Sequence, residues 1–134
     1  MNDVLKRDDI DDIVARFYEA VLQDSIIGFI FTDVAKIHLQ SHLPIIGNFW
    51  QDSLFGGQLY QNNTLQKHLD VHAKMSLKEG HFTRWLYLFN KAVTEKHEGQ
   101  NASKMLLIAD RVAKTISASL GNKKRAGLRL SLDD

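Results

Sequence analysis

Apolar residues recur at three- and four-residue intervals through most of this 134-residue chain, and a single proline interrupts them. That spacing stacks side chains on one face of a helix, and the alternation expected of strands is scarce. The expected fold class is all-α. Ile10, Ile13, Val14, Phe17, Val21 and Leu22 form a first stripe, with Asp9 as its expected N-cap and Tyr18 one residue off its centre. A second helix is expected from about Lys36 to Phe55, with Leu39, Leu43, Ile46, Phe49, Trp50 and Leu54 inward. Pro44 should end or kink a helix begun upstream, or mark a first turn, and Gly56-Gly57 should stop it. A loop then leads to a short helix around Leu65 to Val71. A third long helix carries Phe82, Trp85, Leu86, Phe89 and Val93. After a turn at Glu98 to Asn101, the last helix carries Met105, Ile108, Ala109, Val112, Ile116 and Leu120, with Gly121 expected to end it. Residues 1–121 read as one domain and 122–134, with Lys123-Lys124-Arg125, as a mobile C-terminal tail.

Composition narrows the function classes. A net charge of +1 argues against a nucleic-acid surface as the main role. Absence of cysteine excludes disulfides, thiolate zinc sites, iron–sulfur clusters and thiolate-ligated haem. Met1 to Asp9 lack the apolar core of a signal peptide, and no apolar run reaches membrane-spanning length. The expected address is cytoplasmic, with neither nucleic acid nor membrane as partner.

Six histidines are present, at 38, 42, 68, 72, 81 and 97. For any one of them a surface position is the commoner outcome. His68 and His72 share a helix face, as do His38 and His42, and paired imidazoles at that spacing can bind a metal. The residues between them, Leu69-Asp70-Val71 and Leu39-Gln40-Ser41, lack the glutamate of a zinc protease, and no carboxylate-rich face accompanies them. Haem suits the pattern better, because its iron takes a neutral imidazole held among apolar residues. Dioxygen on iron carries partial negative charge, so the opposite face needs a donor, and Tyr18, His42 and Trp85 offer one each. By spacing alone, Tyr18 and Trp85 read equally well as core aromatics with satisfied polar tips.

Several segments carry a family resemblance. They are Phe17-Tyr18-Glu19-Ala20-Val21, Ile27-Gly28-Phe29-Ile30-Phe31, His42-Leu43-Pro44 through Phe49-Trp50, Lys67-His68-Leu69-Asp70, and His81-Phe82-Thr83-Arg84-Trp85-Leu86-Tyr87-Leu88-Phe89. In this order, over roughly residues 10 to 120, the chain resembles a truncated haemoglobin of group III. The resemblance implies a two-over-two helical sandwich around haem b. It implies His68 as proximal iron ligand, with His72 as the alternative if the gap before His81 is placed differently. Tyr18, His42 and Trp85 resemble the distal polar cluster, and Phe31 the phenylalanine packed on the porphyrin. Ile46, Phe49, Leu69, Phe82 and Leu86 look like further pocket wall. His81 is taken as structural. His42 either gates the pocket or binds the iron as a sixth ligand. Lys67, Lys74 and Arg84 are candidate partners for the haem propionates, beside the reading of each as an ordinary solvated charge.

The function so implied is reversible binding, and in the broad sense transport, of O2 and other diatomic ligands such as nitric oxide and carbon monoxide. The enzymatic alternative is a haem-dependent peroxidase or nitric oxide dioxygenase. It needs a separate reductase, since the chain carries no flavin or nicotinamide motif. A third reading is a cofactor-free helical interaction module.

Overall fold

A computed structural model of the chain describes residues 1–61, 72 and 76–133, with side chains as far as residue 119. Among these residues the elements are helices α1 (Arg7–Leu22), α2 (Leu39–Phe55), α3 (Glu79–Thr94) and α4 (Gln100–Asp133), with a π-helical turn at Ile30–Val34. α1 packs on α2 and α3, and α4 packs on α3 and α2. The result is the expected all-helical two-over-two sandwich. The short helix expected at Leu65 to Val71 lies outside the described residues.

Three helix ends differ from expectation, each for a local reason. α1 starts after Lys6 rather than after Asp9. Asp9 still serves that end from within, because its Oδ2 accepts from the backbone N–H of Leu5 at 2.9 Å and of Lys6 at 3.3 Å. α2 starts at Leu39 rather than near Lys36, because Lys36 holds a left-handed φ of 51° that breaks the helix path. Pro44 then falls inside α2 without ending it. It forfeits one backbone bond, to Gln40, on an exposed face where water can serve that carbonyl. α4 runs past Gly121 to Asp133, so the helix does not stop where expected. Glycine inside a helix costs only about 1 kcal/mol relative to alanine, and the lysine, arginine, alanine and leucine residues beyond it favour the helix.

The core follows the stripes. Ile10, Ile13, Val14, Phe17 and Val21 of α1 are buried against Phe89 and Val93 of α3 and Met105 and Ala109 of α4. Polar ties set the layer geometry. Arg16 donates to the carbonyl of Ala92 at 2.7 Å, in the last turn of α3 where carbonyls lack helical partners. Arg7 donates to Asn48 and Gln51 of α2 beside Gly47, where a Cβ would come within 2.6 Å of its Nη2. Asp3 accepts from the N–H groups of Asn101 and Ala102, both at 2.9 Å, and so caps α4 from the far end of the sequence. Burial alone would raise the Asp3 pKa, but the backbone bonds from Asn101, Ala102 and Val4 outweigh it and hold the carboxyl below its usual range.

Asp24 fixes the corner after α1. Its Oδ1 accepts from Ile26 and Ile27 N–H at 2.9 and 3.0 Å, and its Oδ2 pairs with Arg84 of α3, 2.8 Å from Nε and 2.7 Å from Nη2. The side chain of Asp24 is only 4% exposed. The Arg84 hydrogen bond, more than the opposing burial, holds the Asp24 carboxyl below the usual carboxylate range. A carboxylate with a depressed folded-state pKa stabilises the fold fully above its unfolded value and ceases to as pH falls through the folded one. Asp24→Ala should therefore lower stability at neutral pH by about 1–3 kcal/mol. The gap from the parent protein should shrink below about pH 4. Urea titrations at pH 7 and pH 3 check both, and a gap equal at the two pH values would contradict the ion-pair assignment.

Candidate functional site

A cavity of about 610 Å³ opens between the helices, and apolar side chains from every layer line it. Among the described residues the wall includes Val14 and Phe17 of α1, Ile45, Ile46 and Phe49 of α2, Phe82 and Phe89 of α3, and Val112, Ala113 and Ile116 of α4. Phe31 comes from the π-helical turn, where Ala35 N–H donates to the Ile30 carbonyl at 2.7 Å. The size lies within the roughly 300–1,000 Å³ typical of small-molecule and cofactor pockets. A large, mostly apolar group with a few polar contacts fits this wall.

One polar pair faces the apolar wall. Tyr18, 5% exposed, places its Oη 2.7 Å from Nε2 of His42. The rings meet edge to face, with centroids 4.9 Å apart. Phe31 stands edge-on to Tyr18 from the other side, at 5.9 Å. Burial, with a smaller contribution from Tyr60, pushes the Tyr18 phenol well above its ordinary pKa. Tyr18 therefore keeps its proton at neutral pH and remains a donor. Trp85 lines the same cavity from α3. Its ring stacks on Phe89 at 5.7 Å with a 6° tilt, and Phe89 stacks in turn on Trp50 at 5.0 Å. This ladder gives the cavity a rigid aromatic base.

Of the residues anticipated from sequence, Tyr18, Phe31, His42, Ile46, Phe49, Phe82 and Trp85 meet at this one cavity. Leu86 does not join them; it packs against the hydrophobic core and is absent from the described wall. His68, Leu69, Lys67 and Lys74 lie outside the described residues. Arg84 is committed to Asp24 and lies over the Tyr87 ring at 4.9 Å, so it is placed away from the cavity wall. His72 accepts the Leu77 backbone N–H at 2.9 Å on Nδ1. A neutral imidazole whose Nδ1 is an acceptor carries its proton on Nε2. Histidines that bind metal do the reverse, donating from the nitrogen that faces away. His81, also on the wall, has the same arrangement through Lys78 N–H at 2.9 Å. Among the described residues no group of three or more His, Asp or Glu side chains is arranged to hold a metal ion directly.

The wall also contains residues that the sequence reading did not single out for it. Val112 and Ile116 belong to an apolar stripe that signals burial but cannot tell core from cavity. Tyr60 is turned in by Asp52, whose Oδ2 accepts Tyr60 N–H at 2.7 Å, and no spacing in the sequence announces that. Its ring meets Phe49 edge to face at 5.4 Å. His38 and Ser41 complete the wall at the start of α2.

No protein-family model matches the chain. The chain is 27% identical over 114 residues to the group 3 truncated hemoglobin ctb of Campylobacter jejuni, a match spanning 83% of this chain and 87% of that protein. The crystal structure of group III truncated hemoglobin from Campylobacter jejuni superimposes with a TM-score of 0.79 at 27% identity, covering 90% of this chain and 95% of that one. Among the described residues no helix is long and apolar enough to cross a membrane.

Proposed function

We propose that this chain, a truncated haemoglobin of group III, seats haem b in the 610 Å³ cavity and binds dioxygen and other diatomic ligands there reversibly. The observation that carries the reading is the Tyr18–His42 hydrogen bond, a polar pair set in a mostly apolar wall. Haem, when bound, would supply an iron able to take up a diatomic ligand. The protein supplies the anchor, the donors and the exclusion of water.

His68 is the proposed anchor. The hydrogen bond from Leu77 to His72 supports this choice, since it leaves the iron-binding nitrogen of His72 protonated. With the His42 tautomer that carries its proton on Nε2, His42 would donate to Tyr18 Oη and leave the Tyr18 O–H free to serve a bound ligand. Hydrogen bonds in such a chain strengthen each other. The engagement of His42 Nε2 by Tyr18 favours a gating role for His42 over coordination of iron. Trp85 offers its indole N–H from α3. Donors acting in a dry pocket imply slow release of a partly negative ligand, which suits sensing or chemistry better than bulk transport.

The enzymatic reading uses the same donors to polarise peroxide, or to hold dioxygen for nitric oxide, with electrons from a separate reductase. Dioxygen release kinetics run beside peroxidase and nitric-oxide-consumption assays distinguish the two. The binding reading predicts slow release without sustained turnover. Turnover abolished by Tyr18→Phe would favour the enzyme.

A further inference from the structure

The wall of the cavity is apolar except at a few points, and only two of its described residues are exposed, His38 and Ser41. They mark its mouth. His38 Nδ1 lies 3.0 Å from Ser41 Oγ, which fixes the imidazole and leaves Nε2 as a second polar atom of the pair. Just upstream, Lys36 takes the left-handed φ of 51°, and Ile37 N–H then donates to the Phe31 carbonyl at 3.0 Å. That turn brings Ala35, Ile37 and His38 to the cavity together and puts a lysine charge two residues from the imidazole. An occupant must therefore be apolar over most of its surface and polar at one edge, where it meets solvent.

We infer that His38 and Ser41 are the seat for the carboxylates of the bound porphyrin. This rests on the haem reading and deepens it. With a neutral imidazole, the His38–Ser41 contact uses one of the pair's two protons, so the pair offers one donor, His38 Nε2–H or Ser41 Oγ–H according to the tautomer, to an anion at the mouth, and carboxylates take such charge-assisted bonds strongly. Arg84, the one propionate candidate from the sequence that lies among the described residues, is occupied by a carboxylate of the protein itself. The other polar groups of the wall, Tyr18, His42, Tyr60, His81 and Trp85, are buried or half-buried.

The test compares haem with haem dimethyl ester, which keeps the ring and the iron but removes both carboxylates. Wild-type protein, Ser41→Ala and the double variant His38→Leu/Ser41→Ala are loaded with each, and loss to an excess of a haem-scavenging apoglobin is timed. The double variant should lose haem about tenfold to a hundredfold faster than wild type, with Ser41→Ala between them. All three proteins should lose the dimethyl ester at similar rates. Equal acceleration for both porphyrins would reduce the pair to a structural role and overturn the inference, as would unchanged haem loss. Wild-type protein that takes up neither porphyrin would overturn the haem reading itself, a result distinct from retention that ignores the two substitutions. Both side chains are exposed, so the variants should keep the fold, and matching melting temperatures of the unloaded proteins check this.

Discussion

Tyr18→Phe should speed dioxygen release from the haem-loaded protein by about tenfold to a hundredfold, the equivalent of one hydrogen bond of roughly 1.5–3 kcal/mol to a charged acceptor. The substitution removes one oxygen and leaves the ring, so the edge contacts with Phe17, Phe31 and His42 persist. A tyrosine phenol already holds its proton at physiological pH and burial raises the Tyr18 pKa further, so the wild-type donor stays effective across that range. Carbon monoxide, which accumulates little charge, should leave both proteins at similar rates. Stopped-flow measurement with both gases separates a lost donor from a widened pocket. Equal acceleration for both would indicate steric change, and an unchanged dioxygen rate would remove Tyr18 as a direct donor.

Phe89→Ala should be among the most damaging single substitutions in the core. Phe89 is 1% exposed, stacked between Trp50 and Trp85, with Phe17 edge-on at 5.3 Å. Truncating a buried aromatic costs about 3–5 kcal/mol through lost transfer energy and the space left behind. In a chain of this size that lowers the melting temperature by roughly 10–20 °C. Because Phe89 also lines the cavity, the new space is continuous with it and cannot be refilled by a shift of one side chain. Haem retention should fall together with stability. A calorimetric loss below about 1 kcal/mol would mean that the ladder bears little of the packing.

The helices were legible in the sequence because each long stripe has a definite apolar period. Ile10 to Val21 and Phe82 to Val93 lie on the faces that spacing assigns them. Helix ends were less legible, since Asp9 caps from inside the helix and Lys36 breaks it by a backbone angle no lysine announces. Gly121 misled because glycine is a weak stop unless the residues after it also disfavour a helix. The site divides in the same way. Tyr18, His42 and Trp85 could be named from the ordered segments, and their convergence on one cavity follows from the helix faces. Tyr60 and the His38–Ser41 pair could not, because a loop anchored by Asp52 and a strained turn at Lys36 place them. Arg84 looked like a rim cation because sequence shows its neighbours along the chain but not Asp24, sixty residues away.

The cavity, the Tyr18–His42 pair and the hydrogen bond on His72 support one proposal, that the chain holds haem through His68. The direct measurement is a haem titration of wild type, His68→Ala and His72→Ala, followed by Soret absorbance in the ferric, ferrous and carbonyl forms. Wild type and His72→Ala should each saturate at one haem per chain with the spectrum of a histidine-ligated haem, while His68→Ala should lose that spectrum. Loss in His72→Ala with His68→Ala unaffected, or no Soret band in the wild type, would contradict the account.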